Sequence, residues 1–196
     1  MKIFVLDTSS KAASAAVWED GHLLADCWQN TGRTHSVTSL PMAESLLAGC
    51  SRTLEEMDAL AVTAGPGSFT GLRIGVATAK GLAWAEDKDC APCSTLESMA
   101  WPLAHLEGRV IVCAMDARRS QVYNALFLAA GEGLQRLTPD RAIGLDQLGE
   151  ELKKVEKEKI VVGDGARLCY NTLTEQGITL KMAPEHLRMQ SAWGVA

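Results

Sequence analysis

No apolar run in these 196 residues approaches the roughly 20 that a membrane-spanning helix needs. Met1 runs through Lys2 into Ile3, Phe4, Val5 and Leu6 and then Asp7. The basic start, long apolar centre and cleavage site of a secretion signal are missing. No lysine or arginine run exceeds the pairs Arg118, Arg119 and Lys153, Lys154, and 19 basic against 24 acidic side chains leave a formal charge of -5. Neutralised phosphate is the main source of non-specific affinity for nucleic acid, so strong binding of RNA by this chain alone is not expected, and any RNA would be held through a partner. Cysteines 27, 50, 90, 93, 113 and 169 are scattered through mostly apolar segments. A chain of this size needs no disulfide staples, so the thiols are expected to be reduced, as in a cytoplasmic protein. With 47% apolar residues the chain can bury a core, which excludes a disordered or fibrous protein.

What is present repeats itself. Residues 2–7 read as a strand, 8–11 as a tight turn, 12–18 as a second strand, Asp20-Gly21 as a hairpin turn and 22–28 as a third strand. Residues 109–115 form another apolar run closing on an aspartate, Asp116, followed by a turn over 117–120, a strand over 121–128 and then Gly131-Glu132-Gly133. Asp7 and Asp116 lie about half of a two-lobed protein apart, far more than a solenoid repeat. After the first meander come a helix over 35–49, a strand over 58–63, a glycine-rich loop, a helix over 70–86 and a helical stretch over 94–105. After the second come a helix over 145–157, a strand over 159–162, a turn at 163–165 and a helix over 166–176. The expected lobes are 1–105 and 106–196. This α/β arrangement resembles the actin-like ATPase (ribonuclease H-like) superfamily, with two duplicated lobes, each a mixed sheet flanked by helices. In that superfamily two halves flank a nucleotide cleft, and each supplies an aspartate hairpin to the phosphates. Fold likeness alone assigns no activity.

The strongest local signal is Ala64-Gly65-Pro66-Gly67-Ser68-Phe69-Thr70-Gly71-Leu72-Arg73-Ile74-Gly75, after a strand and opening a helix. Gly65 and Gly67 allow backbone angles closed to other residues, and Ser68 or Thr70 can cap the helix. An anion cradle is one reading. The Gly-Lys-Ser/Thr ending of a P-loop and the Gly-x-Gly-x-x-Gly spacing of a dinucleotide site are both missing. Within the helix Gly71, Gly75 and Ala79 recur every fourth residue, and Thr78, Gly81 and Ala85 widen the small surface. Each glycine costs roughly 0.8–1 kcal/mol against alanine. Close packing inside the lobe or against another subunit would offset that cost, and periodicity leaves both open. Pro41 within 35–49 predicts a kink or a fresh start capped by Ser39. Val37, Leu40, Ala43, Leu46 and Leu47 form that helix's apolar face.

Asp7-Thr8-Ser9, His35-Ser36 with Leu40-Pro41, the glycine loop through Gly75, Ser94-Thr95-Leu96, Asp116-Ala117-Arg118 and Val122-Tyr123 occur in order over residues 1–128. Gly163-Asp164-Gly165 agrees more weakly. The series resembles the TsaB family, which takes part in making threonylcarbamoyladenosine in tRNA. The resemblance implies a non-catalytic subunit that binds and organises TsaD, the active paralogue, with the ATPase TsaE joining. TsaD would then transfer threonylcarbamoyl to the adenosine next to the tRNA anticodon. The same helices would also form a homodimer. The implied interface is His35, Ser36, Val37, Leu40, Ala43, Leu47, Gly71, Arg73, Gly75, Thr78, Ala79 and Leu82. The family continues through a final helix and short tail where this chain stops at residues 191–196, so that helix is expected to be missing or short.

Catalysis by the chain itself is not expected. TsaD-type enzymes hold a metal with a His-x-x-x-His pair on the helix equivalent to 35–49, and here only His35 lies there. His22, His105 and His186 are isolated. Phosphate hairpins favour glycine after the aspartate, whereas Asp7 is followed by Thr8 and Ser9, and Asp116 by Ala117 and the bulky Arg118. The nucleotide cleft is read as vestigial, formed by Asp7, Thr8, Ser9, Gly65, Gly67, Ser68, Asp116 and Arg118. Turn chemistry favours Asp7 and Asp116 as acceptors within their own hairpins. No cofactor of its own is expected, with ATP or ADP and Mg confined to the complex. Cys90 and Cys93 are half of a structural zinc site without the other half, in what reads as a connection. The competing reading is an active actin-like small-molecule kinase or ATPase.

Overall fold

The computed structural model describes residues 1–196 as two units, Met1–Ser98 with Gln190–Ala196, and Met99–Met189. The boundary expected between 105 and 106 thus falls between 98 and 99. The last seven residues belong to the first unit, not the second.

The first unit contains β1 (Lys2–Asp7), β2 (Ala13–Glu19), β3 (His22–Gln29), α1 (His35–Gly49), β4 (Ala59–Gly65), α2 (Phe69–Ala85) and β5 (Asp89–Ser94); α3 (Thr95–Ala100) crosses its boundary. Its sheet runs β3-β2-β1-β4-β5, antiparallel through the first meander and parallel from β1 to β5. Strand alternation sends Phe4, Leu6, Ala13, Ala15, Val17 and Leu60 to one face, where they meet Met42, Ala43 and Leu46 of α1 and Ala83 of α2. Val5, Ala16 and Ala61 face the other way and pack on Ala192 of the terminal helix (Ala192–Val195). Coverage of both faces explains why β1 reads as a continuous apolar run rather than an alternating one.

The second unit contains β6 (Val110–Arg118), β7 (Gln121–Ala129), β8 (Leu134–Arg136), β9 (Arg141–Gly144), α4 (Leu145–Lys153), β10 (Lys159–Val162), α5 (Ala166–Glu175), β11 (Lys181–Met182) and α6 (Glu185–Arg188); the helix at Ala192–Val195 is then α7. Its order, β11-β10-β6-β7-β8, repeats that of the first sheet. The third strand of this copy is split. β8 pairs with Phe127, Leu128 and Ala129, and β9 pairs with residues 121–124. Between them Thr138 Oγ1 accepts the Leu126 amide at 2.9 Å, filling a ladder position beside Pro139, which has no N–H to donate. Two Leu-rich helices, α4 and α5, bury Leu148, Leu152, Cys169 and Leu173 against Val112, Ala114 and Val161.

Three local expectations need correction. α1 is one helix through Pro41, and Ser39 donates its hydroxyl to the His35 carbonyl instead of starting a new helix. The buried face of α1 is Thr38, Ser39, Met42, Ala43 and Leu46, leaving Val37 and Leu40 exposed. Cys90 and Cys93 lie on β5, not in a connection. They pair with Leu60 and Thr63, an odd spacing that turns them to opposite sheet faces, Cys90 toward Phe4 and Leu60, Cys93 toward Val5 and Ala61. Burial pushes both thiols up, so the two sulfurs neither share a site nor favour the thiolate.

Candidate functional site

β1 ends on Asp7, which is completely buried. Its Oδ1 accepts the Ser9 amide at 2.8 Å, the Ser9 hydroxyl at 2.7 Å and the Thr63 hydroxyl at 2.9 Å. Its Oδ2 is buried with no hydrogen-bond partner. Burial therefore pushes the carboxyl above its ordinary range, against the bonds from Ser9 and Thr63 and the nearby His35. His35, at the start of α1, donates from Nε2 to the Ser10 carbonyl at 2.7 Å, so that its role is to tie the helix start to the turn.

The glycine loop lies on that turn. Ser68 donates its amide to the Ser9 carbonyl at 2.7 Å, and its hydroxyl accepts the Gly71 amide at 3.2 Å as the cap of α2. A Cβ at Gly67 would meet the Ser9 carbonyl oxygen far inside the 3.0 Å at which real Cβ contacts stop. An anion cradle needs amides that point at the ligand, and those of Ser68 and Gly71 already serve the protein. Asp7, Thr8, Ser9, Gly65, Gly67 and Ser68 are thus brought together, but as one self-bonded turn and loop.

The same contact decides the small face of α2. Gly71, Gly75, Ala79 and Ala83 are its buried residues. A Cβ at Gly71 would strike the Thr8 carbonyl oxygen and one at Gly75 the Thr8 hydroxyl, which itself donates to the Gly71 carbonyl at 2.8 Å. Gly71, Gly75 and Ala79, expected at a subunit interface, are therefore core residues of their own unit, as is Ala43 of α1. The glycine cost is offset by approach of the Thr8 backbone, 63 residues away in sequence. Ser36, Val37, Leu40 and Arg73 are exposed, whereas His35, Leu47, Thr78 and Leu82 are half-buried.

The opposite side of α2 holds Arg73, already in the implied interface, and Gly81, read as part of the small surface, together with Phe69, Ala77 and Trp84, which the sequence reading left out. Phe69 is 69% and Trp84 88% exposed. The Arg73 guanidinium sits 3.7 Å from the Phe69 ring centroid, a cation–π stack. Between them Ala77 and Gly81 are exposed, and a Cβ at Gly81 would meet nothing within 4 Å. The steps 69, 73, 77, 81 and 84 follow one helical stripe, a signal legible beforehand had the small stripe been assigned to the core.

In the second unit Asp116 is exposed. Its Oδ1 accepts the Arg118 amide at 2.7 Å, and its own amide donates to Asp164 at 3.1 Å. Arg118, Arg119 and Ser120 have φ of 67°, 52° and 57°, a region that non-glycine residues rarely occupy. The Gly163-Asp164-Gly165 turn is pressed on the end of β6: a Cβ at Gly163 would strike the Ala114 carbonyl and one at Gly165 the Asp116 amide.

The raised carboxyl of Asp7 carries a pH dependence of known sign. Its folded pKa lies above the unfolded value of about 3.9, so between the two the folded chain holds the extra proton. Asp7 therefore favours folding least above its folded pKa, and its contribution falls as pH rises through that interval. Asp7→Asn keeps an acceptor for Ser9 and Thr63 without the charge. Urea denaturation from about pH 4 upward should show the parent losing stability relative to the variant. Parallel curves would refute the assignment.

A family model described as TsaD, tRNA N6-adenosine threonylcarbamoyltransferase, matches residues 29–177. The tRNA threonylcarbamoyladenosine biosynthesis protein TsaB of Bacillus subtilis (strain 168) is 33% identical over 168 residues, covering 86% of this chain and 73% of its own. The protein of that name from Escherichia coli (strain K12) is 32% identical over 183 residues, covering 92% and 79%. A crystal structure from Pseudomonas aeruginosa, described as an uncharacterized protein with similarity to peptidase YEAZ, superposes with a TM-score of 0.84 at 24% identity. It covers 99% of this chain and 88% of that one, and so has the same fold. With the duplicated actin-like lobes and the ordered motifs from Asp7 to Tyr123, these similarities place the chain: it belongs to the TsaB family of tRNA threonylcarbamoyladenosine biosynthesis proteins.

Proposed function

We propose that this chain is a non-catalytic subunit that binds and organises TsaD, with TsaE joining, for threonylcarbamoyl transfer to the adenosine next to the tRNA anticodon. The observation that carries this reading is the outward stripe of α2, Phe69, Arg73, Ala77, Gly81 and Trp84. From Phe69 to Trp84 it runs about 22 Å at 1.5 Å per residue, with large anchors at the ends and small residues between. Gly81 has no neighbour in its own unit to justify its cost, so a partner helix approaching Ala77 and Gly81 supplies the compensation. Val37 and Leu40 add exposed apolar surface on α1, which packs beside α2. Aromatic and arginine anchors of this kind dominate binding energy at interfaces. The inward use of the Asp7 turn and glycine loop supports the absence of a nucleotide reaction in this chain. The net charge of -5 supports tRNA being held by the partner.

Sedimentation velocity with and without TsaD, followed by assay of threonylcarbamoyl transfer to tRNA, tests the proposal. The expected result is a heterodimer that competes with any homodimer, with activity only when TsaD is present. Asp116→Ala, at an exposed position, should leave both properties unchanged. Hydrolysis of MgATP by this chain alone, abolished by Asp116→Ala, would instead establish the kinase or ATPase reading.

A further inference from the structure

The two edges of the first sheet differ. β5 carries Pro92, whose missing N–H disfavours addition of another strand. β3, eight residues long, pairs only with β2 and contains neither lysine nor proline; its guards are Asp26 and a bulge at Leu24, which leave residues 27–29 beside the groove clear. One row of its backbone N–H and C=O groups is therefore left without ladder partners. Its far sheet face is covered at one end, where Trp28 donates its indole N–H to the Gln190 carbonyl at 3.2 Å. On the near face a groove of about 490 Å³ opens between β3 and α1. Cys27 and Gln29 form its strand wall, Val37, Pro41 and Met42 its helix wall, and Arg33 lies at the connection. No carboxylate lines this groove, and Arg33 has no ion pair.

We infer that β3 and this groove take up an extended acidic–apolar segment of a partner protein as an added strand. The added backbone pairs with the free row of β3. Every second side chain then points toward α1, against Val37 and Pro41, because strand side chains alternate faces. A carboxylate on the segment meets Arg33, which supplies selectivity for acidic sequences. This surface shares Val37 with the apolar α1 surface assigned to the TsaD contact but does not include the Phe69–Trp84 stripe of α2, so Trp84→Glu and Arg33→Glu separate the two.

The test uses the whole chain, labelled with ¹⁵N, titrated with the blocked hexapeptide Val-Thr-Val-Thr-Glu-Thr, whose valines and glutamate share one strand face, and with its counterpart carrying lysine in place of glutamate. The acidic peptide should give saturable shifts at β3 amides and at Arg33, and slowed hydrogen exchange at every second β3 amide. The lysine peptide should bind about tenfold more weakly, a difference of about 1.4 kcal/mol. Arg33→Glu, at an exposed position, should invert the preference, while Trp84→Glu should leave it unchanged. Equal binding of the two peptides, shifts confined to α2, no saturable binding, or binding without alternate protection of β3 would overturn the inference.

Discussion

Gly71→Ala should destabilise the first unit by about 3 kcal/mol or more, whereas Gly81→Ala, ten residues along the same helix, should stabilise it by about 0.5–1 kcal/mol. The helix propensity gained is the same at both positions. What differs is the space. A methyl at Gly71 would overlap the carbonyl oxygen of Thr8, a backbone atom whose residue is 1% exposed and bonded through its hydroxyl to the Gly71 carbonyl. Relief requires shifting α2 from β1, and with it the Ser68 amide from the Ser9 carbonyl. A methyl at Gly81 meets nothing within 4 Å. Urea denaturation followed by circular dichroism separates the two, and similar effects at both sites would contradict the close approach of the Thr8 turn. By the same reasoning Gly75→Glu and Ala79→Glu, at buried positions, should disrupt the fold rather than selectively break a partner contact.

This helix marks the limit of what could be read beforehand. β1 over 2–7, α1 over 35–49 and β10 over 159–162 have the bounds expected from local pattern, because strand alternation, apolar runs and turn residues are local signals. The duplication was legible from two apolar runs closing on Asp7 and Asp116. The burial of Gly71 and Gly75 was not, since their stripe is compatible with either a core or an interface until Thr8 is placed against it. β8 and β9 were missed because a strand of three residues and one of four, separated by Pro139, carry too little alternation. Pro92 made residues 89–94 look like a connection, although an edge strand accommodates proline. The motif residues of the Asp7 turn and glycine loop were recognisable in sequence, but the direction of their hydrogen bonds depended on contacts between distant segments.

Trp84→Glu should weaken capture of TsaD by about a hundredfold, roughly 2.7 kcal/mol, without altering the fold of the free chain. At 88% exposure the indole has almost no packing to lose within its own unit. A partner helix lying over Ala77 and Gly81 would bury it, and a carboxylate in that place would have to be desolvated without a counter-ion. Phe69→Ala should act in the same direction, removing both the ring and the surface on which the Arg73 guanidinium is held. Gly81→Leu is the sharper test of geometry. It can be accommodated in the free helix, where the site is open, yet it would hold the partner's backbone away from Ala77 and Gly81. Calorimetric titration with TsaD, beside thermal unfolding of each variant alone, distinguishes these effects. If all three variants are folded and bind as the parent does, TsaD does not dock on this side of α2. If Gly81→Leu alone binds normally, the aromatic anchors contribute without the close helix approach that would explain the exposed glycine.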